Sequence, residues 1–78
     1  MVEITSVAEL GKIVRQARKE VGISQEHLAT VAGVGARFLG ELENGKETVQ
    51  LGLVFKVLDV LGLTLAFPYT NLSLSDDK

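Results

Sequence analysis

Glycine punctuates this chain at intervals that leave room for little except helices. Gly22, Gly33, Gly45 and Gly62 each end a segment whose apolar residues recur every three or four positions. Glycine takes the left-handed backbone that closes a helix without the cost a Cβ brings. Four such stops predict four helices. Ser6 opens the first, with Glu9 at capping-box spacing, and Val7, Leu10, Val14, Ala17 and Val21 make its apolar stripe. Lys12, Arg15, Gln16 and Lys19 face away from that stripe. Ser24 caps the second helix, Glu26 favours its dipole, and Leu28, Ala29 and Ala32 form its inner face. The third spans about residues 36–44, with Phe38, Leu39 and Leu42 inward and Arg37 and Glu41 outward. Gly35 stands at its N-cap and offers no side-chain oxygen.

The fourth helix, about residues 49–61 with Thr48 as its expected cap, differs from the others. Leu51, Val54, Leu58 and Leu61 form one stripe; Leu53, Val57 and Val60 form another, and only Gly52, Lys56 and Asp59 leave a polar edge. A helix this apolar must be covered on more than one side, and a chain of 78 residues has little left to cover it with. A second copy is the economical cover. After Gly62, Leu63, Leu65 and Phe67 alternate with Thr64 and Ala66, a strand pattern stopped by Pro68. Val2-Glu3-Ile4 is a weak partner for it within the chain; pairing across a two-fold axis is the better one. The expected dimer interface is therefore Leu53, Val57, Val60, Leu63, Leu65 and Phe67.

The composition narrows the function classes. The chain has no Cys and one His, so disulfide scaffolds and Cys-based zinc sites are excluded, and a Ser-His-Asp arrangement would have to use His27. Neither a nucleophile–base constellation nor a Walker-type loop is visible, which argues against an enzyme, a cofactor or a metal. Apolar residues make up 46% of the chain, too many for a disordered protein, yet no apolar run is long enough to span a bilayer. An acid at Glu3 sits where a signal peptide carries positive charge, so a cytoplasmic location is expected. The net charge of −2 argues against a protein that coats nucleic acid non-specifically. A sequence reader stays possible if its bases gather on one face, and six of the eight (Lys12, Arg15, Arg18, Lys19, Arg37 and Lys46) precede residue 47.

The most informative stretch is Ser24–Lys46, SQEHLATVAGVGARFLGELENGK. Two short helices joined at Ala32-Gly33-Val34 follow the helix-turn-helix plan, in which the second helix enters the major groove. Here the chain resembles the lambda-repressor-like, or XRE-type, helix-turn-helix regulators. Gln25, Ala29, the Gly33 turn and Leu42-Glu43-Asn44-Gly45-Lys46 match the family pattern. The resemblance covers about residues 6–62 and implies an all-α domain of four to five helices, here with a short C-terminal strand. The strand and the phrase RFLGELENGK look most like HipB-type antitoxins, small dimeric repressors encoded beside a HipA-like kinase toxin.

What the resemblance implies can be placed on this sequence. Gln25, following Ser24, would bond a phosphate and brace the recognition helix. Gly35, Ala36, Arg37, Gly40 and Glu41 would face the groove, and Asn44 and Lys46 would approach the opposite phosphate run. Arg18 and Glu43 would form an ion pair tying the first helix to the end of the third. Many relatives carry polar side chains where this chain has Gly35 and Ala36, so Arg37 is the one residue able to grip guanine in bidentate fashion. Glu41 would either accept from cytosine or be solvated. His27 is expected at the surface, Phe38 and Phe55 in the core. Residues 6–67 would form the DNA-binding and dimerisation domain and 68–78 a polar tail, in which Leu72 and Leu74 are suspected toxin contacts.

The function expected is a sequence-specific repressor on an inverted-repeat operator in double-stranded DNA, working as a homodimer. It would be a HipB-like antitoxin binding a HipA-like toxin. The alternatives are a protein-interaction module, which the acidic balance favours, and a phage-type repressor without a toxin.

Overall fold

The computed structural model describes residues 3–66. Within them the chain forms α1 (Val7–Val21), α2 (Gln25–Ala32), α3 (Ala36–Glu43) and α4 (Leu51–Leu61). The glycine stops predicted from the sequence all adopt positive φ. Ser6 Oγ accepts from the Glu9 amide at 3.1 Å, as a capping box requires. The Glu9 carboxylate returns not to Ser6 but to the backbone N–H of Thr5, at 2.6 Å, and to its hydroxyl at 3.1 Å. Those bonds from Thr5 hold the Glu9 carboxyl below its ordinary range. Ser24 Oγ accepts from the His27 amide at 3.0 Å and starts α2 in the same way.

The core is shared by all four helices. Val14 of α1, Leu28, Ala29 and Ala32 of α2, Leu39 and Leu42 of α3, and Val54, Val57 and Leu58 of α4 are buried together. Helix α1 packs on α3 and α4, and α2 packs on the same two. The α2–α3 turn is short: Gly33 closes α2, the Val34 amide donates back to Ala29 O at 2.9 Å, and Gly35 begins α3. Val34 rests against the core and fixes the angle between the two helices.

Several sequence expectations need correction. The fourth helix begins at Leu51 rather than near 49, and Gln50 holds its N-cap without a side-chain bond. Thr48 does not cap it, because the chain first turns from Lys46 O to the Val49 amide and tucks Val49 against the core. Val57 cannot line a dimer interface, since it is wholly buried within its own chain. Val54, Val57, Leu58 and Leu61 stand at i, i+3, i+4 and i+7, and that is the stripe the core selects. Phe55, one step round from Val54, is turned out of the core and is 48% exposed. Leu51 and Val60 are exposed beside it, whereas Leu53, Leu63 and Leu65 are half-buried. Val21 is exposed as well, and the inner face of α1 is completed by Gly11 and Arg18 instead.

No strand forms among the described residues. Residues 63–66 follow Gly62 without a ladder partner, because no other part of the described chain presents a strand edge to them. Phe67, the tail with Leu72 and Leu74, and Val2 lie outside the described residues.

Gly11 shows how closely α1 and α3 meet. A Cβ built there would collide with the carbonyl oxygen of Leu42 and stand 3.0 Å from that of Glu43. Replacing a mid-helix glycine by alanine ordinarily gains about 1 kcal/mol. Here the clash is expected to win, and Gly11→Ala should lower stability by about 1–3 kcal/mol, read from its thermal or urea midpoint.

Candidate nucleic-acid interface

The outer face of α3 carries the residues expected to meet DNA. Gly35, Ala36 and Arg37 are exposed, Gly40 and Glu41 are half-buried, and Asn44 and Lys46 are exposed just beyond the helix end. Ser24 lies exposed at the start of α2, and Gln25 is half-buried beside α3. The structure therefore gathers these residues around the α2–α3 unit. The Arg37 side chain is 92% exposed, and its Nε lies 3.3 Å from Glu41 Oε2. Its two terminal nitrogens have no hydrogen-bond partner among the described residues.

The backing of this surface is a buried ionic network. Arg18 Nε donates to Glu43 Oε2 at 2.7 Å and its NH2 to Glu43 Oε1 at 3.0 Å, a two-pronged pair in which both residues are buried. Arg18 NH1 also donates to the backbone carbonyl of Ile23 at 2.9 Å, tying down the α1–α2 link. Gln25 Nε2 donates to Glu43 Oε1 at 2.9 Å. One carboxylate at the end of α3 thus holds α1, the loop after it and the first residue of α2. Burial pushes the Glu43 carboxyl up, but the hydrogen bonds of Arg18 and Gln25, with the charges of Arg18 and Arg15, outweigh it and hold the group below its ordinary range. The bond to Glu43 in turn raises Arg18. No buried side-chain nitrogen or oxygen among the described residues lacks a partner, so the network closes on itself.

A second, exposed cluster lies over the recognition surface. Glu41 Oε2 receives Lys46 Nζ at 3.2 Å as well as Arg37. The hydrogen bond from Lys46, followed by the charges of Lys46 and Arg37, lowers the Glu41 carboxyl. The sequence points Lys46 to phosphate and Glu41 to solvent or cytosine, and does not pair the two. They stand five positions apart across a helix end, and helical periodicity says nothing there. The brace that the resemblance implies for Gln25 is its bond to Glu43, a partner for which the sequence carries no local signal. Gly11 had one: a glycine inside an apolar helix pattern marks a close approach. His27 is exposed, and no group of three metal-ligating side chains occurs among the described residues.

The α2–α3 pair with its short glycine-bounded turn is the geometry of a helix-turn-helix. Residues 14–67 match the family HTH_3, described as helix-turn-helix. The chain belongs to the XRE-type helix-turn-helix family of DNA-binding transcriptional regulators. It is 48% identical over 62 residues to an uncharacterized HTH-type transcriptional regulator, y4mF, of Sinorhizobium fredii, with 80% of this chain and 82% of that protein covered. Among solved structures it is similar to a chain of a HipA–HipB–O2–O3 complex, at a TM-score of 0.81 and 25% identity over 91% of this chain and 100% of that one. It is also similar to the restriction-modification controller protein C.AhdI from Aeromonas hydrophila, at a TM-score of 0.67 and 29% identity, covering 74% of this chain and 88% of the other. XRE-type members are DNA-binding regulators and not typically enzymes. No helix among the described residues is long and apolar enough to cross a membrane.

Removing Glu43 would leave Arg18 buried and unpaired. Glu43→Ala is expected to cost about 3–5 kcal/mol, read as a lowered urea midpoint. The depressed Glu43 value also sets a direction with pH. Its stabilisation is complete above the ordinary carboxyl range and is lost as pH falls through the lower folded-state value. From about pH 5 downward, wild type should lose stability more steeply than Glu43→Gln; parallel acid slopes would show that the pair does not titrate with folding.

Proposed function

We propose that the protein is a dimeric, sequence-specific repressor and the antitoxin of a toxin–antitoxin pair, resembling HipB in partnering a HipA-like kinase. Each protomer presents α3 to a major groove about 12 Å wide, which admits one helix. The observation that carries the DNA part is the state of Arg37: almost fully exposed on α3, with both terminal nitrogens free of hydrogen bonds among the described residues. A guanidinium so presented suits the O6 and N7 acceptors of guanine. Ser24 supports the α2 contact, since its oxygen accepts from the helix while its hydroxyl proton stays available to a phosphate. Gln25, braced by Glu43, is the neighbouring phosphate ligand.

The dimer reading is supported by α4 and the segment after it. Leu51, Phe55 and Val60 are exposed apolar residues, and Phe55, Leu58, Asp59, Leu63, Thr64 and Leu65 line an open groove of about 360 Å³. With Val57 assigned to the core, Leu53, Val60, Leu63 and Leu65 are the interface residues, and Phe67 extends the same series in sequence. The toxin partner is supported by the likeness to the HipB chain solved with HipA. A two-fold dimer reads an inverted repeat with half-sites about one helical turn apart, or a small multiple of it.

Footprinting on the DNA upstream of its own gene tests this reading, with protection of an inverted repeat expected. A chain that sediments as one copy and protects nothing refutes it. Arg37→Ala should cost about 1–3 kcal/mol on the operator and relax preference at one base position. Lys46→Ala should weaken binding to every sequence alike and flatten the salt dependence by about one. Equal losses on operator and random DNA for Arg37→Ala would remove Arg37 from base recognition.

A further inference from the structure

The residues expected to meet DNA include only two cations, Arg37 and Lys46, and both converge on one oxygen, Glu41 Oε2, at 3.3 and 3.2 Å. Glu41 Oε1 accepts no hydrogen bond among the described residues. We propose that Glu41 sets the specificity of the recognition surface by suppressing attachment to random duplex while steadying Arg37 for base contact. The inference rests on the DNA-binding reading above and adds a role for a residue that would otherwise be an anionic bystander.

The two halves of this role follow from the two contacts. Binding to arbitrary sequence is almost wholly a matter of cations on phosphates. A phosphate that takes Lys46 must take it from Glu41, and it then faces a carboxylate compensated by Arg37 alone. The cost falls on every sequence and leaves a background weak for want of charge, in keeping with a chain whose net charge is −2. The Arg37 contact works differently. Glu41 meets Arg37 at Nε and leaves both terminal nitrogens open. A guanine edge can be gripped without breaking that bond, and the carboxylate restrains a side chain that is otherwise 92% exposed and unrestrained. Glu41 therefore opposes phosphate-only complexes and tolerates the base-reading one. The lowered Glu41 carboxyl agrees with a group that stays ionised beside its two cations.

The test compares wild type, Glu41→Gln and the double variant Glu41→Gln/Lys46→Ala on a random 20-base-pair duplex and on the footprinted operator, by anisotropy across a salt series at roughly the ionic strengths where phosphate contacts dominate. Glutamine keeps the shape and removes the charge. Glu41→Gln is expected to bind random duplex on the order of ten-fold tighter at low salt, with a salt dependence steeper by about one per protomer. Operator affinity should rise less, so the ratio between the two falls. The double variant should lose the gain, which assigns it to Lys46. Unchanged affinity for random duplex in Glu41→Gln, with wild type still footprinting, overturns the role of Glu41 and leaves the repressor reading standing. Equal gains on operator and random duplex overturn it too, because charge alone would then be acting. A wild type that protects no DNA overturns the repressor reading and this role with it.

Discussion

The α2–α3 unit depends on one carboxylate. Glu43 takes two bonds from Arg18 and one from Gln25, and so joins α1, the start of α2 and the end of α3 at a single buried point. Apolar packing alone would hold Leu39 and Leu42 against the core, yet it is not directional and would let α3 slide or rotate. The forked geometry of guanidinium on carboxylate is directional and fixes the end of the recognition helix. Ile23 O, bound by the same guanidinium, ties the α1–α2 link to this point. Burying this pair costs desolvation, which the hydrogen bonds to Glu43 offset, and their geometry adds a defined orientation.

The close contact at Gly11 works with that pair. Arg18 can reach Glu43 from α1 only if the two backbones approach closely, and the missing side chain at Gly11 permits it beside the Leu42 and Glu43 carbonyls. Gly45 makes a related approach at the next turn: its φ is 81°, and a Cβ there would lie 2.8 Å from the Ala8 Cα. The end of α3 is thus held by sterics on one side and by charge on the other. The exposed cluster around Glu41 sits above this rigid base, where water and salt compete for every bond.

Much of the fold was legible in the sequence because its signals are local. The glycine stops, the Ser6 and Ser24 caps and the inner faces of α2 and α3 all follow from spacing within a few residues. The end of α1 and the middle of α4 were less so. Helix α4 is apolar enough to offer two stripes, and which one turns inward depends on neighbours that periodicity does not describe; at the end of α1 the buried Arg18 takes the inner face in place of Val21. That is why Val21 and Phe55 are exposed and Val57 is buried. The strand expected after Gly62 needs an edge from elsewhere, and alternation cannot supply it. In the site, the Arg18–Glu43 tie was carried by family resemblance, while the Gln25–Glu43 and Lys46–Glu41 bonds emerged only when the helices were placed together.

Three of the positions proposed to face the groove are nearly bare. A Cβ at Gly35 would meet nothing within 4 Å, one at Gly40 would touch only the Gln25 side chain at 3.7 Å, and Ala36 is exposed. None of them contributes to the buried core. Longer side chains can be written onto this helix without disturbing the scaffold beneath it. On the proposed reading, the protein keeps its vocabulary of contacts separate from its architecture, and new letters at these three places would leave the frame as it is.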